Sequence, residues 1–155
     1  MGFHGPHHDH GQCTGELIAR AEAMCAARKT RLTPQRRDVL ARIAETHSVV
    51  GAYDIIERMA SGGERPAPIT VYRALDFLLE NGLIHKIESR SAYVACSHDH
   101  GGTQAAILIC DGCDSVAELD APDAFRNLLA AARIQGFVPR RAVVEVVGRC
   151  GACKV

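Results

Sequence analysis

Apolar residues recur along this chain with two different periods, and the places where one gives way to the other mark out its elements. Leu17, Ile18, Ala21, Met24 and Cys25 fall at spacings of three and four, which predicts a helix beginning at Thr14. Thr33-Pro34 opens a second helix, with threonine at the N-cap and proline at the first helical position, and Val39, Leu40, Ile43 and Ala44 form its apolar stripe. A third, short helix is expected from about residue 52 to 59 with Ile55, Ile56 and Met59 inward, ended by Gly62-Gly63. Residues 68–82 read as a fourth, with Val71, Leu75, Leu78 and Leu79 apolar and Asn81-Gly82 as its stop. The pattern then shortens to two strands, residues 83–88 and 91–96, joined at Ser89-Arg90. A polar, glycine-broken stretch over 97–104 marks a domain boundary. Beyond it, 105–110 and 116–119 read as strands. Residues 122–134 read as a helix with Phe125, Leu128, Leu129 and Ala132 on one face and Gly136 closing it. Val143, Val144, Val146 and Val147 then predict a last strand, 141–147, buried on both faces.

Three helices followed by a β-hairpin, counted from Thr33, is the order of a winged helix-turn-helix. The expected fold is therefore α+β. A flexible tail spans 1–13, a winged-helix domain 14–96, a hinge 97–104 and a smaller α/β domain 105–155. Two small domains in 155 residues are each marginal on their own cores, and a structural metal in one would offset that.

Net charge is zero, which taken alone argues against a nucleic-acid partner, but the charge is uneven. Arg28, Lys29, Arg31, Arg36, Arg37 and Arg42 are opposed within their stretch only by Asp38, so a basic face survives. Arg36, Arg37 and Arg42 lie off the apolar stripe, free to face solvent or phosphate. Thr70, Tyr72, Arg73 and Asp76 lie near the start of the fourth helix, where a recognition helix presents side chains to base edges. Tyr72, Arg73, Thr70, Arg36, Arg37 and Arg31 are the candidate DNA-binding residues. No apolar run approaches the roughly 20 residues needed to span a membrane. The N-terminus does not read as a secretory signal, so a reducing cytoplasm is expected, with thiols available as ligands.

The clearest chemical signal is Cys110-Asp-Gly-Cys113 answered by Cys150-Gly-Ala-Cys153. Two Cys-x-x-Cys knuckles supply the four thiolates of a closed tetrahedral zinc site. Residues 114–149 must then fold as one unit whose ends meet. A redox dithiol is the alternative, but neither pair sits between a predicted strand and a long helix. A disulfide framework fits poorly with seven cysteines, an odd number. A zinc enzyme needs an open coordination position and a nearby base, and four thiolates offer neither. Cys25 reads as core. His4, His7, His8, His10 and Cys13 read as a solvated tail rather than a metal trap.

Taken together, Leu32-Thr-Pro-Gln-Arg36, Thr70-Val-Tyr-Arg-Ala-Leu-Asp-Phe-Leu-Leu79, His85-Lys-Ile-Glu88, Tyr93-Val-Ala-Cys96 and the two knuckles resemble the ferric uptake regulator family, in its zinc-responsive branch. The resemblance implies a dimeric, non-enzymatic repressor of zinc-uptake genes. In such a protein a winged helix is hinged to a dimerisation domain, and two zinc ions are bound per chain. It carries the regulatory ligands onto His85, Cys96, Glu118 and a linker histidine, His100 in preference to His98. One thiolate, two imidazoles and a carboxylate suit zinc better than iron or manganese, which lean on harder donors. An iron, manganese or peroxide sensor of the same fold is the main alternative, and Cys96 is the feature against it. It also implies a palindromic operator in double-stranded DNA.

Overall fold

A computed structural model of the 155-residue chain describes Phe3, residues 10–97 and residues 104–154. Among these, residues 10–97 fall in one compact unit and 104–154 in the other. The linker histidines and the tail histidines His4, His7 and His8 lie outside the described residues.

The first unit runs α1 (His10–Ala27), α2 (Pro34–Ala44), β1 (Val50–Gly51), α3 (Ala52–Ser61), α4 (Pro68–Glu80), β2 (Ile84–Ile87) and β3 (Ala92–Ala95). Helix α2 packs against α1, α3 and α4, which makes it the hub of the unit. Its start is set locally: Thr33 Oγ1 accepts the Arg36 amide at 3.3 Å and Pro34 follows at the first helical position. The expected stripes all converge. Ala21, Val39, Leu40, Ile43, Ile55, Val71, Leu75, Leu78 and Leu83 are fully buried in one core, and Cys25 is buried as expected. Helix α4 stops at Asn81, whose side-chain amide donates to the Phe77 carbonyl at 2.8 Å, and Gly82 then takes φ +67° at no steric cost.

Two features differ from the pattern. Helix α1 begins at His10, four residues before the expected start, so residues 10–13 of the supposed tail are helical. Gln12 Nε2 donates to Glu16 Oε1 at 3.0 Å, and the Thr14 hydroxyl donates to the Ala44 carbonyl at 3.3 Å, anchoring the first turn where no apolar residue signals it. The hairpin is also a three-stranded sheet in the order β1-β3-β2, because the two-residue β1 pairs Val50 with Tyr93. A one-turn 3₁₀ segment, Glu88–Arg90, joins β2 to β3.

The second unit contains β4 (Ala105–Cys110), β5 (Val116–Asp120), α5 (Pro122–Ile134) and β6 (Glu145–Gly148), with sheet order β5-β4-β6. Strand β5 returns antiparallel to β4, while β6 runs parallel to it with Leu108 opposite Val146 and Cys110 opposite Gly148. The valine run was expected to be buried on both faces, and within the chain it is not: Val143, Val146 and Val147 are 44%, 50% and 54% exposed. Strand β6 is an edge strand, and of the four apolar residues expected on one face of α5 only Phe125 is buried, Leu128 being half exposed. A small three-stranded sheet with one helix has too few elements to cover both faces.

Candidate metal centre and nucleic-acid face

Parallel pairing of β4 with β6 explains how two knuckles distant in sequence meet. Both strands run in the same direction and both end at a Cys-x-x-Cys, so their C-terminal ends lie side by side. The Asp111 amide donates to the Gly148 carbonyl at 2.9 Å and continues the ladder into the first knuckle. That knuckle turns with Asp114 at φ +56°, a left-handed conformation that Asp tolerates, and the Asp114 amide donates to the Cys110 carbonyl at 2.9 Å. The second closes in the same way, the Cys153 and Lys154 amides both donating to the Cys150 carbonyl at 3.0 Å.

The Sγ atoms of Cys110, Cys113, Cys150 and Cys153 consequently lie within 4.8 Å of one another. A Zn–S bond of about 2.3 Å gives a tetrahedron with edges of about 3.8 Å. The Cys113–Cys150 sulfur separation is 3.8 Å, so this donor set fits zinc in both chemistry and size. The surroundings favour the thiolate at one of the four sulfurs and oppose it at another. The Cys150 amide, donating to Cys110 Sγ at 3.3 Å, pulls the Cys110 thiol down to about 6, assisted by the Gly112 and Cys113 amides against the opposing effect of burial. Cys153 is pushed up to about 12, chiefly because it shares its proton with the Cys113, Cys150 and Cys110 sulfurs. Four adjacent thiolates cannot all carry charge without a cation, and metal loading displaces the protons that remain. Asp111 and Arg149, each beside a knuckle cysteine, approach to 3.6 Å, an exposed pair worth at most about 1 kcal/mol.

In the first unit, Ile84 faces Ala95 and His85 faces Val94, which puts His85 and Cys96 on the same side of the β2–β3 pair as diagonal neighbours. The Cys96 amide donates to the Leu83 carbonyl at 3.0 Å, extending the ladder, and a His85 ring nitrogen lies within 4.8 Å of Cys96 Sγ. Sequence reasoning missed Arg20, whose guanidinium on α1 donates to the Cys96 carbonyl. No local motif announces a contact spanning 76 residues. Glu118 belongs to the second unit, on β5 opposite Ile107, and is a buried carboxylate.

The basic run is less free than its sequence suggests. The Arg36 guanidinium stacks 3.7 Å from the Phe77 ring centroid and donates to the Arg31 carbonyl at 2.7 Å, so it ties α2 to α4. Arg37 pairs with Glu22 of α1, and Arg42 with Asp38 at 3.3 Å and Glu45 at 2.8 Å. Arg31, Tyr72 and Arg73 are exposed, and Thr70 is half-buried.

Comparison with known proteins gives these features a context. The family model described as the ferric uptake regulator family matches residues 27–146. This chain belongs to the ferric uptake regulator family. The zinc uptake regulation protein of Escherichia coli strain K12 is 42% identical over 141 residues, spanning 90% of this chain and 82% of that one. A solved structure described as a zinc uptake regulator complexed with zinc and DNA superimposes with a TM-score of 0.85 at 42% identity, covering 90% of this chain and 94% of the other. Holo XcZur superimposes with a TM-score of 0.82 at 42% identity, covering 89% and 96%. In this ferric uptake regulator family member the matched segment ends before Cys150 and Cys153, so the second knuckle rests on the four-sulfur geometry rather than on the family match. No helix among the described residues is long and apolar enough to cross a membrane.

Proposed function

We propose that this chain is a zinc-responsive transcriptional repressor of zinc-uptake genes. It is not an enzyme, acts in the cytoplasm, and binds a palindromic DNA operator as a homodimer. The observation that carries the reading is the donor pair on the β2–β3 face: a thiol beside an imidazole selects zinc over the harder iron and manganese ions. Similarity to proteins named as zinc uptake regulators supports it.

Two zinc ions per chain are assigned. Cys110, Cys113, Cys150 and Cys153 hold one, with a structural role. His85, Cys96, Glu118 and a linker histidine, His100 in preference to His98, hold the other, which regulates. The first pair of those ligands comes from the winged-helix domain (14–96) and Glu118 from the dimerisation domain (105–155), with the hinge (97–104) between. A second copy would cover the exposed valines of β6 together with Ile134, Phe137 and Val138, which are 82%, 64% and 81% exposed.

The test is metal content by mass spectrometry before and after mild chelation, with a DNA shift assay at each stage. One tight and one exchangeable zinc per chain are expected, and loss of the second should weaken operator binding about 5- to 150-fold. Removal of both ions together, or operator binding indifferent to the exchangeable one, would overturn the reading.

Tyr72 and Arg73 are assigned to bases, with Thr70 beside them. Arg31, Arg36 and Arg37 are assigned to phosphates, Arg36 holding its place through Phe77 and Arg37 having to exchange Glu22 for the backbone. Arg73→Ala is expected to erase about 1–3 kcal/mol of discrimination between operator and random duplex. Arg37→Ala is expected to weaken both alike and to lower the salt slope by about one. Binding titrations across a salt series on both duplexes check this, and equal losses for Arg73→Ala on the two would count against it.

A further inference from the structure

Helix α4 divides cleanly. Val71, Ala74, Leu75 and Leu78 are buried, and beyond Pro68 at the helix start the exposed positions are Ile69, Tyr72, Arg73, Asp76 and Glu80. At 3.6 residues per turn those five fall within an arc of about 100°. Four of them are polar or carry a polar tip. Ile69 is the exception: it is 59% exposed, three residues before Tyr72 and four before Arg73, so it neighbours both on the helix surface. A lone exposed aliphatic side chain is ordinary on a protein surface. This one lies near the middle of the face assigned to DNA, and its β-branched side chain is stiff about χ1, so it presents its methyl groups in a fixed direction.

The major groove offers one apolar feature to such a side chain, the C5-methyl group of thymine. We propose that Ile69 is a specificity-determining residue that reads a thymine methyl in each operator half-site, beside the base read by Arg73. The inference rests on the DNA-binding function proposed above and adds a base preference to it. Arg73 and Tyr72 read hydrogen-bonding edges, whereas Ile69 separates thymine from cytosine and from uracil by the methyl alone.

The experiment starts with a duplex selected from a random pool on the zinc-loaded wild-type protein. Each thymine of one half-site is then replaced singly by uracil, which removes the methyl and leaves base pairing intact, and binding is followed by fluorescence anisotropy. One position is expected to weaken wild-type binding about fourfold, the value of one buried methyl group. The same replacement should have no effect on Ile69→Ala, which binds the thymine duplex about as weakly as wild type binds the uracil one. Ile69→Val, which keeps the branch, should retain most of the preference. Zinc content and thermal unfolding of Ile69→Ala should match the parent, because the side chain is mostly in solvent. If no uracil position matters, or if the penalty persists undiminished in Ile69→Ala, the assignment of Ile69 is overturned while DNA binding stands. If no duplex is enriched at all, the DNA-binding function falls and this inference with it.

Discussion

Cys113→Ser is expected to remove the tightly held zinc and to unfold the second unit. Binding of a structural zinc contributes on the order of 10 kcal/mol or more at neutral pH, as much as the whole stability of a small domain. The position makes the test discriminating. Cys113 is exposed, and an exposed substitution that touches no special feature changes stability by at most about 0.5 kcal/mol. If the four sulfurs were merely packed together, serine here would be nearly silent. With zinc it deletes one of four ligands from a site that has no spare. Metal content by mass spectrometry and the oligomeric state by sedimentation should fall together, from two zinc ions to at most one per chain and from dimer to monomer. A folded dimer without tightly held zinc would refute the assignment.

Cys96→Ser is expected to act on the other ion alone. The structural zinc, the fold and the dimer should persist, while operator affinity at low free zinc falls by about 5- to 150-fold, the range of an allosteric coupling of about 1–3 kcal/mol. The reasoning is one of populations. In the proposed site, ligands drawn from both sides of a joint would favour one arrangement of it, and without the ion the competent arrangement would be only fractionally populated. Cys96 is 1% exposed, so replacing its sulfur also has a packing cost. Cys25→Ser supplies the control, since that thiol is 3% exposed in the same unit and takes no part in the proposed site. Equal loss of zinc response in both variants would make the effect one of stability, and unchanged operator binding by Cys96→Ser at the same free zinc would remove the hinge as the sensor.

The sequence made the helices legible because their signals are local. Thr33-Pro34 caps α2, Asn81-Gly82 ends α4, and the apolar stripes of α1 to α4 reached the core, whereas on α5 only Phe125 is buried. Strand β1 was not legible, because two residues carry no period and Val50–Gly51 is a strand only through its pairing with β3. The valines of β6 show the converse: the run predicts burial on both faces, but on this edge strand Val146 and Val147 are half exposed among the described residues. Of the sites, the knuckles were legible from ligand spacing alone. His85 and Cys96 came from resemblance, and their shared face became visible only with the strand register. Arg20 and the Arg36–Phe77 stack join segments remote in sequence, which one-dimensional patterns do not encode.

The parallel pairing of β4 with β6 sets a timetable for synthesis. Cys110 and Cys150 are 40 residues apart, and a ribosome adding about 5–20 residues per second takes roughly 2–8 s to cover that distance. During that interval the nascent chain offers Cys110 and Cys113 as a two-sulfur half-site, and β4 lacks its β6 partner. A half-site holds metal far less firmly than the closed set and leaves both thiols open to oxidants. In the proposed four-thiolate site the closed set would form only once β6 has docked on β4, so that metal capture would follow strand pairing rather than lead it.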